Sequence, residues 1–252
     1  MAREGEAPVD GRDTRWTQHR IDRRAELVES TLRAIRRHGA GVAMDDIAAE
    51  AGTSKTVIYR HFTDKAGLYV AVVASVDELI LREITAAAGG VGRVLPAEPP
   101  SHVLRDGRPD DHGAGRPTKG RALVRSELRR LMSAVVDTYL RLVERDPEVY
   151  RFVVSRPLLD RPPEQDPVAG MTSRIGDHVA GVIAAQLRSR DADPAPAAVW
   201  GQGVVGLIRA VTDHWLAATD PLPRPALVAL VTDLVCGGLD AALDPTERAR
   251  TT

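Results

Sequence analysis

Four side chains able to bind nucleic acid share one face of a short segment, TSKTVIYRHF, which spans residues 53–62. On a helical period Lys55 and Tyr59 are four residues apart, as are Thr56 and Arg60, so the four lie together. Lys and Arg side chains donate hydrogen bonds to phosphate oxygens and to the O6 and N7 atoms of guanine. The segment is therefore predicted to be a helix that contacts nucleic acid through this face.

The other face of the same segment carries its apolar residues. Ile58 and Phe62 are also four residues apart, and they are expected to anchor the helix in a small core. Ser54 precedes the helix as a suitable N-cap. The turn before it ends in Gly52, a residue that commonly terminates a helix. The segment thus has one face for packing and one for binding.

Two further helices are predicted ahead of this segment. Residues 20–38 carry an apolar stripe at alternating intervals of four and three residues, followed by Gly39 and Gly41 as a stop. The stretch MDDIAAEAG places Asp45 and Asp46 in the first turn of a short helix, where the helix dipole favours acids. Alone, the charged face of residues 53–62 would more often be a solvated surface. With two helices and a glycine turn before it, the pattern predicts a helix-turn-helix whose second helix fits the major groove.

The stretch MDDIAAEAGTSKTVIYRHFTDKAGLY resembles the DNA-binding domain of the TetR family of transcriptional regulators. The strong resemblance covers residues 20–74, and the remainder is similar only in length and helical character. The positions that carry the family pattern are Ile47-Ala48, Ala51-Gly52, Ser54-Lys55, Tyr59, His61-Phe62 and Lys65.

The resemblance implies roles for individual residues. Those expected at base edges and neighbouring phosphates are Lys55, Thr56, Val57 and Arg60. Those expected to bind phosphates and fix the register are Ser54, Tyr59, His61 and Lys65. For His61, a packed position in the small core is an equally weighted alternative.

One position departs from the family pattern. Family members often carry Thr or Ser just before the second helix, whereas this chain has Ala43. The missing phosphate contact is expected to come from a backbone N–H or from the basic residues near the N-terminus. Those residues are Arg12, Arg15, Arg20, Arg23 and Arg24.

Helical periodicity breaks at residues 89–120 and resumes at Arg121, and no segment alternates as a strand does, so an all-α fold is predicted. A helix-turn-helix three-helix DNA-binding domain would precede a helical ligand-binding and dimerisation domain. The expected divisions are a flexible polar arm at 1–17, the helix-turn-helix domain at 18–65, a connecting helix at 66–88, a disordered Gly- and Pro-rich linker at 89–120, and the ligand-binding and dimerisation domain at 121–245.

The last two helices are apolar on more than one face, which favours a homodimer that pairs them with a partner's, as in the family. Glycines that would permit close approach are Gly201, Gly203, Gly206, Gly237 and Gly238, with packing inside one subunit as the alternative. A small hydrophobic effector, of acyl or other lipid-like type, is expected in a pocket between the helices. The candidate lining residues, each more often a core residue when taken singly, are Tyr139, Phe152, Met171, Ile175, His178, Leu207, His214 and Trp215.

Composition limits the other classes of function. The net charge of −1 means that any binding to DNA must come from a local basic patch. The single cysteine, Cys236, is expected as a buried small hydrophobe. No signal peptide or membrane span is recognisable, so a cytoplasmic protein is predicted. HExxH, CxxC and GxSxG motifs are absent from the sequence, and therefore no catalysis, metal or cofactor is expected.

The function implied by the resemblance is a ligand-responsive repressor that binds a palindromic operator in double-stranded DNA as a dimer and is released by its effector. The alternative is a dimeric small-molecule-binding protein without specific DNA binding.

Overall fold

The computed structural model describes residues 11–92, 118–155, 167–188 and 193–243. Within these ranges the chain is helical and contains no strand, which confirms the predicted all-α fold. The helices are α1 (Gly11–His38), α2 (Met44–Glu50), α3 (Lys55–Phe62), α4 (Lys65–Gly92), α5 (Thr118–Arg145), α6 (Pro147–Ser155), α7 (Pro167–Arg188), α8 (Ala197–Ala217) and α9 (Arg224–Leu243).

These helices divide between two compact units. Unit 1 runs to Glu78 and also takes in Asp146–Met171, while unit 2 comprises Leu79–Arg145 and the chain from Thr172 onward. Helix α6 therefore belongs to unit 1, although the sequence placed it in the ligand-binding domain that begins at residue 121. Its contacts with α1 and α4 join residues about a hundred positions apart, and local periodicity does not register such contacts.

Helix α1 begins earlier than the sequence predicted. Residues 11–17 were expected to belong to a flexible arm but form the first turns of this helix. These residues carry no apolar stripe, so the hydrophobic periodicity of the sequence did not indicate a helix there. Once later turns have formed, extending a helix by further residues costs little free energy. At the other end Gly39, with φ of 88°, adopts the left-handed conformation that stops the helix. The remainder of the predicted arm, residues 1–10, lies outside the described residues.

The predicted linker is also shorter than expected at both ends. Residues 89–92 continue α4 and residues 118–120 open α5, so these seven positions are helical. Residues 93–117, the rest of the predicted disordered linker, lie outside the described residues.

The core of unit 1 is formed by apolar residues from α1, α2, α3, α4 and α6. Ile58 and Phe62 are 0% and 2% exposed, which confirms them as the anchors of α3. Burying one such side chain stabilises the fold by about 1.5–3 kcal/mol. The other fully or nearly fully buried residues of this core include Leu27, Ile35, Ile47, Leu68, Tyr69, Val72, Phe152 and Val153.

The core of unit 2 packs residues of α5, α7, α8 and α9. Arg224, the first residue of α9, binds the carboxylates of Asp137 and Glu144 on α5. A further ion pair between these two helices joins Arg129 to Asp233. The apolar residues of the cluster include Met132, Val136, Leu140, Ile183, Leu187, Val204, Trp215, Leu227, Val231 and Val235.

One of the predicted interface glycines serves the interior of unit 2 instead. A Cβ atom at Gly201 would lie 2.5 Å from the carbonyl oxygen of Gly176 and 2.8 Å from the Cβ of Ala180, so α8 touches α7 there. Gly201 therefore packs within one subunit, which was the alternative reading. The other four glycines have no neighbouring atom within 4 Å of a built Cβ: Gly203, Gly206, Gly237 and Gly238.

Candidate nucleic-acid interface

The start of α3 is fixed by a cap and a glycine turn. The hydroxyl of Ser54 accepts a hydrogen bond from the backbone N–H of Val57, at 3.4 Å, which confirms the predicted N-cap. Gly52, in the turn between α2 and α3, has φ of 59°. Glycine adopts this left-handed conformation readily because it has no side chain. Together these residues set the angle at which α3 leaves the turn.

The predicted binding face of α3 is the side of the helix that does not pack into the core of unit 1. Lys55, Thr56 and Arg60 are exposed, and Val57 and Tyr59 are half-buried. The buried residues on the other side hold the helix in place, so its cations can meet a ligand without disturbing the core. A helix of this kind, bearing Lys, Arg, Thr and Tyr, matches the donors that phosphates and guanine edges accept.

Lys55 forms an ion pair across the turn, which the sequence did not reveal. Its Nζ lies 2.9 Å from Oδ1 of Asp45, on the first turn of α2, and both side chains are largely exposed. The hydrogen bond and charge of Asp45 raise the pKa of the Lys55 amine. Ten residues separate the partners, and Asp45 was interpreted only as a favourable charge at the helix start. In the free protein, therefore, Lys55, a predicted base contact, is held in an ion pair by the carboxylate of Asp45.

The C-terminal end of α3 is tied to α1 through Arg24. Its Nη1 donates to the backbone carbonyl of His61 at 2.6 Å, and its guanidinium lies 4.3 Å from the centre of the Phe62 ring. A cation over a ring face is attracted by about 0.5–1 kcal/mol at such an exposed site. Arg24 was predicted as an auxiliary phosphate contact. In the structure Arg24 supports the C-terminal end of α3.

The imidazole of His61 is half-buried beside several cations. Burial, followed by the charges of Arg60, Arg23, Arg20 and Arg24, lowers the pKa of His61. Each of these effects disfavours the protonated ring. The four arginine charges near the ring give this end of α3 a positive local field, which favours a phosphate.

The turn that connects α3 to α4 is tightly packed around Gly67. Thr63 has φ of 69°, and Oδ1 of Asp64 accepts from the N–H of Gly67 at 2.6 Å. A Cβ on Gly67 would lie 1.9 Å from the carbonyl oxygen of Phe62, so this position has no room for a side chain. Lys65, the first residue of α4, is exposed beside this junction.

The eight predicted effector-binding residues are distributed over both units. Phe152 and Met171 belong to unit 1, where Phe152 is fully buried with its ring 5.7 Å from that of Tyr69. In unit 2, Trp215 is buried and donates its indole N–H to the carbonyl of Leu222 at 2.8 Å. The half-buried candidates of unit 2 are Tyr139, Ile175 and Leu207, and the exposed ones are His178 and His214.

Other classes of site receive no support within the described ranges. No group of three or more His, Cys, Asp or Glu side chains there is arranged to hold a metal ion. No helix of those ranges has the length and apolar content needed to cross a membrane. Cys236 is 4% exposed, which confirms its prediction as a buried residue.

Comparison with known proteins identifies the family. Residues 27–72 match the family described as "Bacterial regulatory proteins, tetR family", and residues 121–251 match "Tetracyclin repressor-like, C-terminal domain". The second match alone spans more than half of the 252 residues. The chain belongs to the TetR family of transcriptional regulators.

Similar proteins are named as HTH-type transcriptional regulators. An uncharacterized HTH-type transcriptional regulator of Mycobacterium tuberculosis H37Rv is 32% identical over 242 residues, covering 92% of this chain and 86% of its own. The HTH-type transcriptional activator FasR of Mycolicibacterium smegmatis is 25% identical over 203 residues, covering 80% and 74% respectively.

Two solved structures share the fold. A putative transcriptional regulator from Pseudomonas aeruginosa PAO1 superposes with a TM-score of 0.60 at 16% identity, over 88% of this chain and 92% of its own. The fatty acid degradation regulator FadR from Bacillus halodurans gives 0.56 at 14% identity, over 94% and 98%. TetR-family regulators bind DNA, typically as dimers, and nothing in the family assignment points to catalysis.

Proposed function

We propose that this TetR-family protein is a ligand-responsive repressor that binds a palindromic operator as a homodimer and is released by a small hydrophobic effector. The observation that carries the proposal is the division of α3 into two faces. Ile58 and Phe62 are buried, while Lys55, Thr56 and Arg60 are exposed on a helix that is capped and tied at both ends. A rigid cationic helix of this kind suits the major groove, which admits one helix.

Exposed apolar residues on the last two helices support dimerisation. Leu230 and Leu234, one turn apart on α9, are 57% and 62% exposed, and Val199 on α8 is 73% exposed. Gly237 and Gly238 continue the α9 surface with no side chain. Large apolar side chains grouped on the surface mark protein interfaces. Two copies joined here would present two recognition helices, and hence read a site with two-fold symmetry.

The dimer is tested by sedimentation of the Leu234→Arg variant beside Leu222→Arg, a substitution at an exposed leucine of the loop before α9. We expect Leu234→Arg to sediment as a monomer with unchanged helicity, because a charge cannot be buried in an apolar interface without a partner. Leu222→Arg is expected to remain dimeric. Monomeric wild type at the same concentrations would refute the interface.

DNA binding is tested by selecting duplexes from a random library with the wild-type protein and measuring their affinity at several salt concentrations. Lys55→Ala and Arg60→Ala are each expected to weaken binding about tenfold and to relax the preference at the contacted base. Arg130→Ala, at an exposed arginine on α5, is the matched control and should leave affinity unchanged. If the wild type enriches no sequence over random DNA, the chain is a ligand-binding protein without specific DNA binding.

The proposed effector site lies in unit 2. Tyr139 and Leu207 are half-buried and pack against its apolar cluster, so they offer apolar surface to a hydrophobic ligand. Mass spectrometry of solvent extracts from purified protein should identify a hydrophobic compound. Adding that compound back should then dissociate the complex with the selected duplex. A compound that binds but leaves DNA affinity unchanged would argue against an effector role.

The direction of regulation needs a separate experiment. Deleting the gene should raise expression from promoters that contain the selected sequence, as measured with a reporter. A fall in expression would instead make this protein an activator, which is how FasR of Mycolicibacterium smegmatis is named.

A further inference from the structure

Between residues 226 and 238, the exposed face of α9 carries a single charged side chain. The exposed positions of this stretch are Ala226, Ala229, Leu230, Asp233, Leu234, Gly237 and Gly238. Asp233 alone among them bears a charge, and it follows Leu230 by three residues and precedes Gly237 by four. At these spacings the three positions share one side of the helix. Asp233 therefore lies within the surface proposed to join two copies of the chain.

An arginine from another helix matches this charge. Arg129 of α5 binds the carboxylate of Asp233 through Nη2, and the two side chains are 50% and 55% exposed. An ion pair open to water adds little to the stability of a chain, because water screens the charges and the side chains lose freedom. The attachment of α9 to α5 rests instead on the apolar cluster of unit 2 and on Arg224, whose side chain is 23% exposed. The fold of unit 2 therefore gives no reason for the pair of Arg129 and Asp233.

Burial between two copies would change the energetics of this pair. In a two-fold symmetric interface both copies contribute the same surface, so each copy brings an Asp233 carboxylate to the contact. A carboxylate that loses its water without gaining a cation opposes association strongly. Arg129 supplies that cation within each copy, and the resulting pair has no net charge. The leucines beside it can then be covered without leaving a buried charge unpaired.

We propose that Arg129 of α5 is part of the dimer surface, and that a second copy of this chain covers its ion pair with Asp233. The inference rests on the proposed function, because it concerns the same homodimer. It adds a third helix to the contact made by α8 and α9. It also makes the pair a specificity determinant, since only a chain that brings both members of the pair avoids burying a lone charge.

A second copy suits this surface better than a partner of another kind. Leu230 and Leu234 are 57% and 62% exposed, so most of the available contact is apolar. An acidic or basic partner would gain little attraction from a face whose one charge is already neutralised within the chain. A second copy offers the same two leucines and the same neutral pair, so the contact is self-complementary.

The experiment is a double-mutant cycle on the dissociation constant of the dimer, measured by sedimentation equilibrium. Asp233→Asn leaves Arg129 charged and unpaired, and Arg129→Gln does the same to Asp233. Each single variant is expected to weaken dimerisation by about tenfold or more, because the remaining charge is buried alone. The double variant has no charge at either position, and its dissociation constant should return to within about threefold of the wild-type value.

The matched controls are Arg23→Gln and Glu26→Gln in unit 1. These substitutions break an exposed ion pair of α1 and change the net charge by the same amounts. Both should dimerise as the wild type does. Circular dichroism should give the same helicity for every variant, because Arg129 and Asp233 are exposed within one chain.

Single variants that dimerise as tightly as the wild type would overturn the proposal, because the pair would then remain in water. A double variant as weak as the two single changes combined would also overturn it, by showing no coupling between the residues. Lost helicity in the single variants would assign the pair to packing inside one chain, with the same consequence. A monomeric wild type is a different result, because it removes the proposed homodimer itself and the inference with it.

Discussion

The carboxylate of Glu148 accepts a hydrogen bond from the backbone N–H of Ala40, with 2.9 Å between Oε2 and N. Glu148 is on α6, and Ala40 lies in the turn between α1 and α2. Nearby, Asp146 accepts from Nε and Nη2 of Arg36 at 2.8 and 3.3 Å, a bidentate pair. Helix α6 therefore fixes the turn that sets the position of the helix-turn-helix.

Removing this contact should loosen the turn. We expect Glu148→Ala to lower the free energy of unfolding by about 1 kcal/mol, because the Ala40 N–H loses a charged acceptor at a partly exposed site. Glu148→Gln should have a smaller effect, since its amide oxygen can still accept. Thermal unfolding followed by circular dichroism provides the measurement, with Glu29→Ala at an exposed position of α1 as the control. Equal melting temperatures for all four proteins would contradict the role assigned to this contact.

The same contact predicts a dependence on pH. The Ala40 hydrogen bond, opposed by burial and aided by Arg151, lowers the pKa of Glu148 below 4.5. A carboxyl whose pKa is lower in the folded state stabilises the protein above its unfolded pKa, and that contribution is lost as the pH falls through the folded value. The stability difference between wild type and Glu148→Ala should therefore shrink as the pH falls below 4.5.

Sequence reasoning succeeded where the determinants were local. The cap of Ser54, the buried pair Ile58 and Phe62, and the stop at Gly39 all depend on residues within one or two turns of each other. These features follow from helical spacing and from the backbone preferences of individual residues. For this reason the sequence could predict which side of α3 is buried and which side is exposed.

What the sequence did not reveal are contacts between distant segments. Glu148 and Ala40 are 108 residues apart, and Arg24 and His61 are 37 apart, so no periodic pattern connects them. The exposure of His178 and the indole hydrogen bond of Trp215 likewise depend on packing within unit 2. An apolar stripe shows that a helix face is buried but does not indicate what covers it.

The junction between α3 and α4 should tolerate no side chain at Gly67. A methyl group there would collide with the Phe62 carbonyl, which belongs to the backbone and cannot swing away. Gly67→Ala is expected to cost about 1–3 kcal/mol of stability and to displace α3 from its DNA-binding position. Gly89→Ala is the matched control, since no atom lies within 4 Å of its built Cβ and alanine favours helix by roughly 0.5–1 kcal/mol. Equal urea midpoints for the two variants would show that the junction can relax.

Asp45 should limit DNA binding by holding Lys55. To reach a phosphate or a guanine, the Lys55 amine must leave or share a carboxylate that lies 2.9 Å away. Asp45→Asn removes that competition together with one negative charge beside the duplex, so affinity for a selected duplex should rise roughly two- to fivefold. Asp46→Asn, which removes the neighbouring charge without touching Lys55, should have a smaller effect. Lower affinity of Asp45→Asn would instead make Asp45 the residue that positions Lys55 for its contact.

His61 should make DNA affinity and protein stability respond to pH in opposite directions. Its pKa lies below 6.5 in the free protein because burial and nearby arginines disfavour the charged ring. The unfolded chain therefore takes up a proton more readily, and stability falls as the pH drops through 6.5. A phosphate beside the ring favours the charged form, so binding takes up a proton and affinity rises over the same interval.

The measurement is the affinity for a selected duplex between about pH 8 and pH 6, which brackets the ordinary pKa of histidine. Wild type should bind more tightly at the lower pH, and His61→Gln should lose most of that gain while keeping its fold. His38→Gln, at an exposed histidine on α1, corrects for the general charge gained on acidification. The opposite outcome is that His61→Gln still binds more tightly at low pH but no longer loses stability as the pH falls. In that case His61 is a packed residue of the core, and the phosphate contact belongs to its neighbours Arg60 and Lys65.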